Sequence, residues 1–414
     1  MPDAAGGGTG YGGLAPRIVN GVLEFPVYHM RGGTSTGIVL YEPHLPKDLA
    51  LREELIRRLM GVPVEGERKG NKQITGLGRG IPTSCKVFLL KPSERPDADL
   101  DSTLAQLAPE KAAIDWSVNC GNMSAALPMY ALETGMLARP AGRNVVRIFN
   151  TNTGVVTHAH LVAPEPGEPY TDLAEIPGVM GGWPAVQLAL LNPSGSKTGK
   201  LLPTGNAVDV IDGVEVSCVD LAVPMVIMRA ADFGKTAAET PAQLDSDAAF
   251  QERFRKIWIE AGLRMGLKKR DGSPMSEAEI AASETIPKAC IVAPPSAEEA
   301  AKGANIRVRY FTPQAGHGSM AVTGGSCLAA GCLIPGSVPS GIVQGVSPLG
   351  PDEAEHVVLM ANPAGILKST VVGALRGGAF VIPSASYERS AQVLLRGATP
   401  VYGTSAALLA AYAP

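Results

Sequence analysis

Charge is scarce in this chain of 414 residues: Asp, Glu, Lys and Arg make up 18%, against roughly 25% in an ordinary soluble protein. What charge there is nearly cancels, leaving a formal −3. A nucleic acid or an anionic membrane needs a concentrated basic surface, so neither is an expected partner. No apolar run reaches the ~18 residues that span a bilayer. The first ten residues, Met1 to Gly10, lack the basic and apolar stretches of a secretory signal. Cysteine is also sparse, at positions 85, 120, 218, 290, 327 and 332. That is too few for a disulfide scaffold, and no CxxC or Cys/His zinc spacing occurs. These absences together predict a cytoplasmic protein with reduced thiols.

Glycine and proline are plentiful, with 48 and 34 residues. Together they approach a fifth of the chain, where roughly 12% is usual. With 45% apolar residues the chain has enough to bury, so disorder is excluded. Its length suits two or three domains, built from many short strands and tight turns. Strand-like runs include Lys86–Leu90, Val145–Phe149, Gly154–Val162, Val214–Leu221 and Ile306–Phe311, several alternating apolar with polar residues. Lys47–Met60 is an amphipathic helix pattern, and Pro241–Met265 holds another that leads to Lys268, Lys269 and Arg270.

Two further helical segments, Gly121–Met136 and Gly324–Leu333, are small and apolar nearly all round. A helix with no polar face is buried on every side. The pair lies about 200 residues apart, each among strands, which predicts two similar halves with a curved sheet around a central helix. Cys120-Gly-Asn-Met-Ser-Ala-Ala aligns with Thr323-Gly-Gly-Ser-Cys-Leu-Ala-Ala with one residue of slack. The turn-rich stretch Leu202–Asn206 suggests the boundary. The expected organisation is a loose Gly-rich tail over 1–16, an N-terminal half over 17–205, a C-terminal half over 206–385, and a segment 386–414 packing back on the N-terminal half.

Cys120-Gly-Asn stands at the mouth of the first apolar helix. The first N–H groups of a helix have no internal partner and carry partial positive charge. They favour a thiolate over a thiol and bind carboxylates. Buried cysteines also commonly do no more than pack; both readings stand on these residues alone.

The stretch Asp115-Trp-Ser-Val-Asn-Cys-Gly-Asn-Met-Ser-Ala-Ala resembles the central motif of the PrpF-type isomerases, relatives of diaminopimelate epimerase and proline racemase. The resemblance runs through Met30-Arg-Gly-Gly-Thr-Ser-Thr-Gly, Pro82-Thr-Ser-Cys-Lys-Val, Arg147-Ile-Phe-Asn-Thr-Asn-Thr-Gly, Gly199-Lys-Leu-Leu-Pro-Thr-Gly-Asn, Ala321-Val-Thr-Gly-Gly-Ser-Cys and Asn362-Pro-Ala-Gly. It implies an α+β, diaminopimelate epimerase-like fold of two pseudo-symmetric halves, each a barrel-like sheet wrapped on a buried helix, with the active site in the cleft between them. It further implies cofactor-independent proton transfer on small unsaturated di- or tricarboxylates. Lys86 and Cys120 fall where the family's acid/base pair is proposed. A lysine base must be neutral, which burial and cationic neighbours favour.

Two departures from the pattern stand out. Val322 occupies the place where two-cysteine epimerases carry their second thiol, which favours one-sided chemistry over a symmetric racemase; Cys327 falls later and reads as packing. Thr36 stands where many PrpF members have lysine, which bears on the substrate. Cys85, beside Lys86, should face the opposite side of the strand.

Residues expected to meet substrate are Arg31, Gly33, Thr34, Ser35, Thr83, Ser84, Gly121, Asn122, Asn150, Asn152, Thr204, Asn206, His317, Thr323, Gly324 and Gly325. Arg147 is a further candidate clamp, with a surface ion pair as its alternative. For the asparagines and Thr204 the alternative is turn capping. His158 and His160 share a strand face but have no third ligand nearby, so no metal is expected. The glycine clusters match neither nucleotide-binding pattern. The expected partner is a small polycarboxylate; on oligomeric state the sequence is silent, with a homodimer one option.

Overall fold

The computed structural model describes residues 13–413 apart from 270, 284, 313 and 314. The first twelve residues of the expected tail, and Arg270, lie outside them. The described chain divides into two compact units. The first holds residues 13–175, 179–188 and 389–413; the second holds 176–178 and 189–388. The chain leaves the first unit inside strand Trp183–Leu191. The turn 202–206, which composition marked as the boundary, lies inside the second unit, where Thr204 and Asn206 tie it to Asp209.

In the first unit, strands Val22–Gly32 and Ser35–Tyr41 form a hairpin. Lys86–Pro92 joins in parallel, then Leu100–Leu107 antiparallel, Gly142–Asn150 in parallel and Val155–Ala163 antiparallel. The second unit repeats this alternation with Val214–Leu221, Val223–Arg229, Lys288–Ala293, Ile306–Thr312, Ala354–Asn362 and Gly365–Arg376. A parallel step needs a crossover. At the first such step of each unit stands an amphipathic helix, at the second a helix with no polar face. The two halves read from the two apolar helices are thus visible as one topology used twice. The fold is α+β.

The amphipathic helices follow their end signals. Leu49–Met60 starts on Asp48, whose carboxylate accepts from Leu51 N at 3.0 Å, and stops at Gly61 with φ 68°. Leu55, Ile56, Leu59 and Met60 pack on Phe25, Val27, Ile38 and Leu40. The region 241–265 forms two helices, Pro241–Ser246 and Ala248–Arg264. Asp247 lies in extended backbone between them and caps the second. The apolar helices run from Gly121 to Glu133, with a one-residue break at Ala125, and over Val322–Leu333. The second is enclosed by Val219, Ile227, Val308, Tyr310 and Met360. Among the described residues no helix is long and apolar enough to cross a membrane.

Candidate active site

Side chains directly opposite one another on paired strands share a face of the sheet. Register therefore assigns Tyr28, Met30, Gly32, Ser35, Gly37, Lys86, Phe88 and Gln106 to one face. The other face takes Val27, His29, Arg31, Thr36, Ile38, Cys85 and Val87. The apolar helix Gly121–Glu133 lies on the first face, because Tyr28 meets Tyr130 edge-on and Gly32 touches the helix start. A Cβ at Gly32 would stand 2.6 Å from Asn122 O and 2.8 Å from Met123 Cα. One at Gly33, whose φ is +53°, would meet Asn122 Oδ1 at 2.5 Å. The Gly-Gly pair is what lets the hairpin close on the helix mouth.

That contact gathers the first part of a site. Cys120 is the N-cap: Met123 N donates to its sulfur at 3.5 Å, and Ser35 Oγ lies 3.9 Å from Sγ. The side chain of Asn122 is held at both ends, donating to Thr34 Oγ1 (3.1 Å) and accepting from Arg389 Nε (2.9 Å). The N–H groups of Gly121 and Asn122 have no protein acceptor among the described residues. They are free for an anion, as helix N-termini are.

Lys86 supplies the second part. It is only 7% exposed, and Nζ donates to Pro82 O at 2.8 Å and Gln106 Oε1 at 2.9 Å. Among the described residues no carboxylate stands within ion-pair distance of it. Its neighbour across the parallel step is Gly37, where a Cβ would lie 2.4 Å from Lys86 O. Ser35, next to Cys120, and Gly37, next to Lys86, are two residues apart on one strand. At ~3.3 Å per residue these two positions stand about 6.6 Å apart along the strand.

Other expected residues go elsewhere. Arg31 is buried on the opposite face and folds back on Gly33 O, Ser390 O and Ser390 Oγ, stacking over Trp183. Thr36 pairs with Arg31 there, away from Ser35 and Lys86. Ser84 closes its own turn through Ile81 O and Arg79 N, while Thr83 is exposed. Asn150 and Asn152 spend their amides on Ser102 O, Leu104, Trp116 O and Thr153. Arg147 is a bidentate partner of Asp99. These polar groups serve turns and strands, the alternative that side chains of this kind always carry.

In the second unit, His317 Nδ1 accepts from Ser319 N, and its ring meets Tyr310 edge-on. Thr204 and Asn206 bind Asp209. The helix begins one residue before Thr323, so Gly325 N already bonds Ala321 O and is not a free donor. Gly324 and Gly325 serve packing, against Tyr310 and Leu367. Val322 opens the helix, and Cys327 is fully buried with its thiol pushed up by burial. Burial likewise raises Cys85, which bonds Gln73 Oε1 and Ile81 O on the far side of its strand. No cluster of three metal-ligating side chains stands together among the described residues.

The sequence pattern of a family described as PrpF protein matches residues 22–402. The chain belongs to the PrpF family. The 4-oxalomesaconate tautomerase of Pseudomonas putida is 33% identical over 377 residues, covering 91% of this chain and 96% of that protein. The 2-methyl-aconitate isomerase of Shewanella oneidensis is 29% identical over 398 residues, with 91% and 96% covered. The crystal structure of methylitaconate-delta-isomerase superposes with a TM-score of 0.77 at 28% identity, over 93% of this chain and 97% of that one. This member of the PrpF family therefore shares that α+β fold.

Two residues that touch the candidate site residues Lys86 and Asn122 escaped the sequence reading. Gln106 lies in an alternating strand, and its place directly opposite Lys86 depends on a pairing register that no local signal reveals. Arg389 arrives at Asn122 from 267 residues away. Neither stands in a motif rich in glycine or cysteine, the features that drew attention to Cys120 and Gly33.

Proposed function

We propose that this PrpF-family chain is an isomerase of small unsaturated di- or tricarboxylates, and that Lys86 and Cys120 carry the proton. The observation that supports this reading is that Lys86 and Ser35 share one sheet face, with Cys120 Sγ 3.9 Å from Ser35 Oγ and the free N–H groups of Gly121 and Asn122 beside the thiol. In the scheme, Lys86 takes an acidic proton from the carbon next to the double bond. The electron pair left behind spreads over the allyl system and its carboxylate, giving a dienolate. Cys120 then protonates the other end of the system, and the double bond has moved or rotated. One proton leaves carbon and one returns, so the reaction balances without a cofactor; exchange with solvent resets the amine and the thiol. The helix N–H groups stabilise the negative charge that develops on the carboxylate. The relatives named above act on oxalomesaconate, methylaconitate and methylitaconate, and such acids define the substrate class. Thr36 lies on the far face, so its departure from lysine leaves this arrangement intact. All six cysteines are free, in keeping with a reducing cytoplasm.

The test is incubation in D₂O with cis- and trans-aconitate, 2-methylaconitate, 3-methylitaconate and oxalomesaconate, followed by proton NMR. The wild type should isomerise at least one acid and place deuterium on its carbon. Lys86→Ala and Cys120→Ser should each lose about 100-fold or more, the usual worth of a positioned acid or base. If both variants keep the wild-type rate, the assignment of the pair is wrong.

A further inference from the structure

Lys86 does not choose its own direction. Gln106 stands directly opposite it on the antiparallel strand, and the amide of Gln106 is fixed from behind. Its Nε2 donates to Leu107 O at 2.9 Å, Cys85 O at 3.2 Å and Pro82 O at 3.2 Å. A flipped amide would set its oxygen against three carbonyl oxygens and its N–H groups against a donor. Oε1 must therefore face Lys86 Nζ, at 2.9 Å. Pro82 O closes the ring by accepting from both Nζ and Nε2.

The consequence is chemical. Two of the three substituent directions on the lysine nitrogen are spent on neutral acceptors, and the remaining one is left for a lone pair or a transferable proton. A glutamate of the same reach would hold the nitrogen by charge; a glutamine orients it with a neutral acceptor. The other titratable groups on the surrounding elements do not replace this contact. Lys91 shares Lys86's own strand, and Cys85, just before it, faces the opposite side. Asp115 stands opposite Gln106 on Ile114–Asp115, and its carboxylate accepts from Ser117 N and Oγ. Tyr41 lies on Ser35–Tyr41, Asp101 at the far end of Leu100–Leu107, and Cys120 at the helix mouth.

We infer that Gln106 is a positioning residue that aims Lys86 at the substrate. The inference rests on the reading of Lys86 as an acid/base group. Its test is the split of kcat from KM in Gln106 variants, on whichever acid the D₂O screen finds active.

In Gln106→Met the amine loses one acceptor. With the aim lost, kcat should fall at least about tenfold while KM stays within about twofold. A folded Gln106→Met with the wild-type kcat overturns the inference. If that variant does not fold, Gln106→Leu decides it: the same split of kcat from KM supports the inference, and an unchanged kcat overturns it. The underlying reading fails separately. Lys86→Ala with full activity removes it, whereas an inactive Lys86→Ala beside an unaltered Gln106→Met sinks this inference alone.

Discussion

His29 shows at the scale of one residue how a strand can carry a base and keep it neutral. It follows Leu23, Phe25 and Val27 on the buried face that packs against helix Leu49–Met60, and its Nε2 has no hydrogen-bond partner among the described residues. Burial, with a smaller push from the Arg79 charge, lowers its pKa from 6.5 to about 4. Unfolding restores the ordinary value, so between these limits the unfolded chain binds the extra proton. Stability from this site is complete above pH 6.5, declines as pH falls, and is gone below about pH 4. His29→Leu removes the titration but keeps the apolar bulk. The variant should lose less stability than the wild type between pH 7 and pH 4.5, the difference reaching about 2 kcal/mol; urea midpoints at the two pH values measure it. An equal loss in both proteins would show that His29 is solvated. At this scale the sequence disclosed residue type but not always direction. Cys85 and Lys86 are adjacent on a strand and had to diverge. Arg31 and Thr36 shared a motif with Ser35, and only the register reveals that they face away from it.

At the scale of the element, both apolar helices need close approach, and the chain supplies it from opposite sides. In the first unit the glycines are on the hairpin: Gly32 against the backbone of the helix start and Gly33 against the Asn122 side chain. In the second they are on the helix, with Gly324 under Tyr310, Gly325 on Leu367 and Gly331 on Ile227. This explains why Cys120–Ala126 and Thr323–Ala330 align only with a residue of slack although both segments fill the same place in the topology. Existence and burial of the helices were legible from their missing polar face. The true start at Val322 was not, because no side chain caps it. A Cβ at Gly324 would lie 2.5 Å from Tyr310 Cε2. Gly324→Ala should therefore cost about 1–3 kcal/mol, the usual price of overpacking. Because the obstacle is a side chain, the same alanine should cost markedly less in a Tyr310→Leu background. Chemical unfolding of the four proteins of this cycle checks it; costs that simply add would mean that the helix shifts away from the ring.

For the whole molecule, the repeat of one strand alternation was foreshadowed by two apolar helices 200 residues apart, and a segment 386–414 was expected to pack back on the N-terminal half; that the chain passes between the units inside single strands was not legible. The strand Ala379–Val401 pairs first with Gly365–Arg376 and later with Val22–Gly32, and from Arg389 onward it belongs to the first unit. Its continuation seals that unit. Leu408 is fully buried in the cluster of Leu55, Ile56 and Val87, and Tyr412 OH donates to His44 O. Ser405 caps the short helix Ala406–Ala410 and donates its N–H and hydroxyl to the two oxygens of Glu54, at 2.8 and 2.7 Å. Burial works to raise the Glu54 pKa, but these bonds and that from Arg58 outweigh it and hold the carboxyl below its ordinary value. The end of the chain is thus fastened by an apolar anchor and by a charge-dependent clasp, and the two can be told apart. Leu408→Ala should cost about 2–5 kcal/mol, with little dependence on pH. Ser405→Ala removes a cap and should cost about 0.5–2 kcal/mol at pH 7. A carboxylate stabilised in the folded state contributes fully above its unfolded pKa near 4.5 and loses that contribution as pH falls through the lower folded value. The gap between Ser405→Ala and the wild type should therefore narrow from pH 7 toward pH 3, while the Leu408→Ala gap persists. Urea unfolding across that range distinguishes them, and a Ser405→Ala gap that does not narrow would mean that the hydroxyl acts on the helix cap alone.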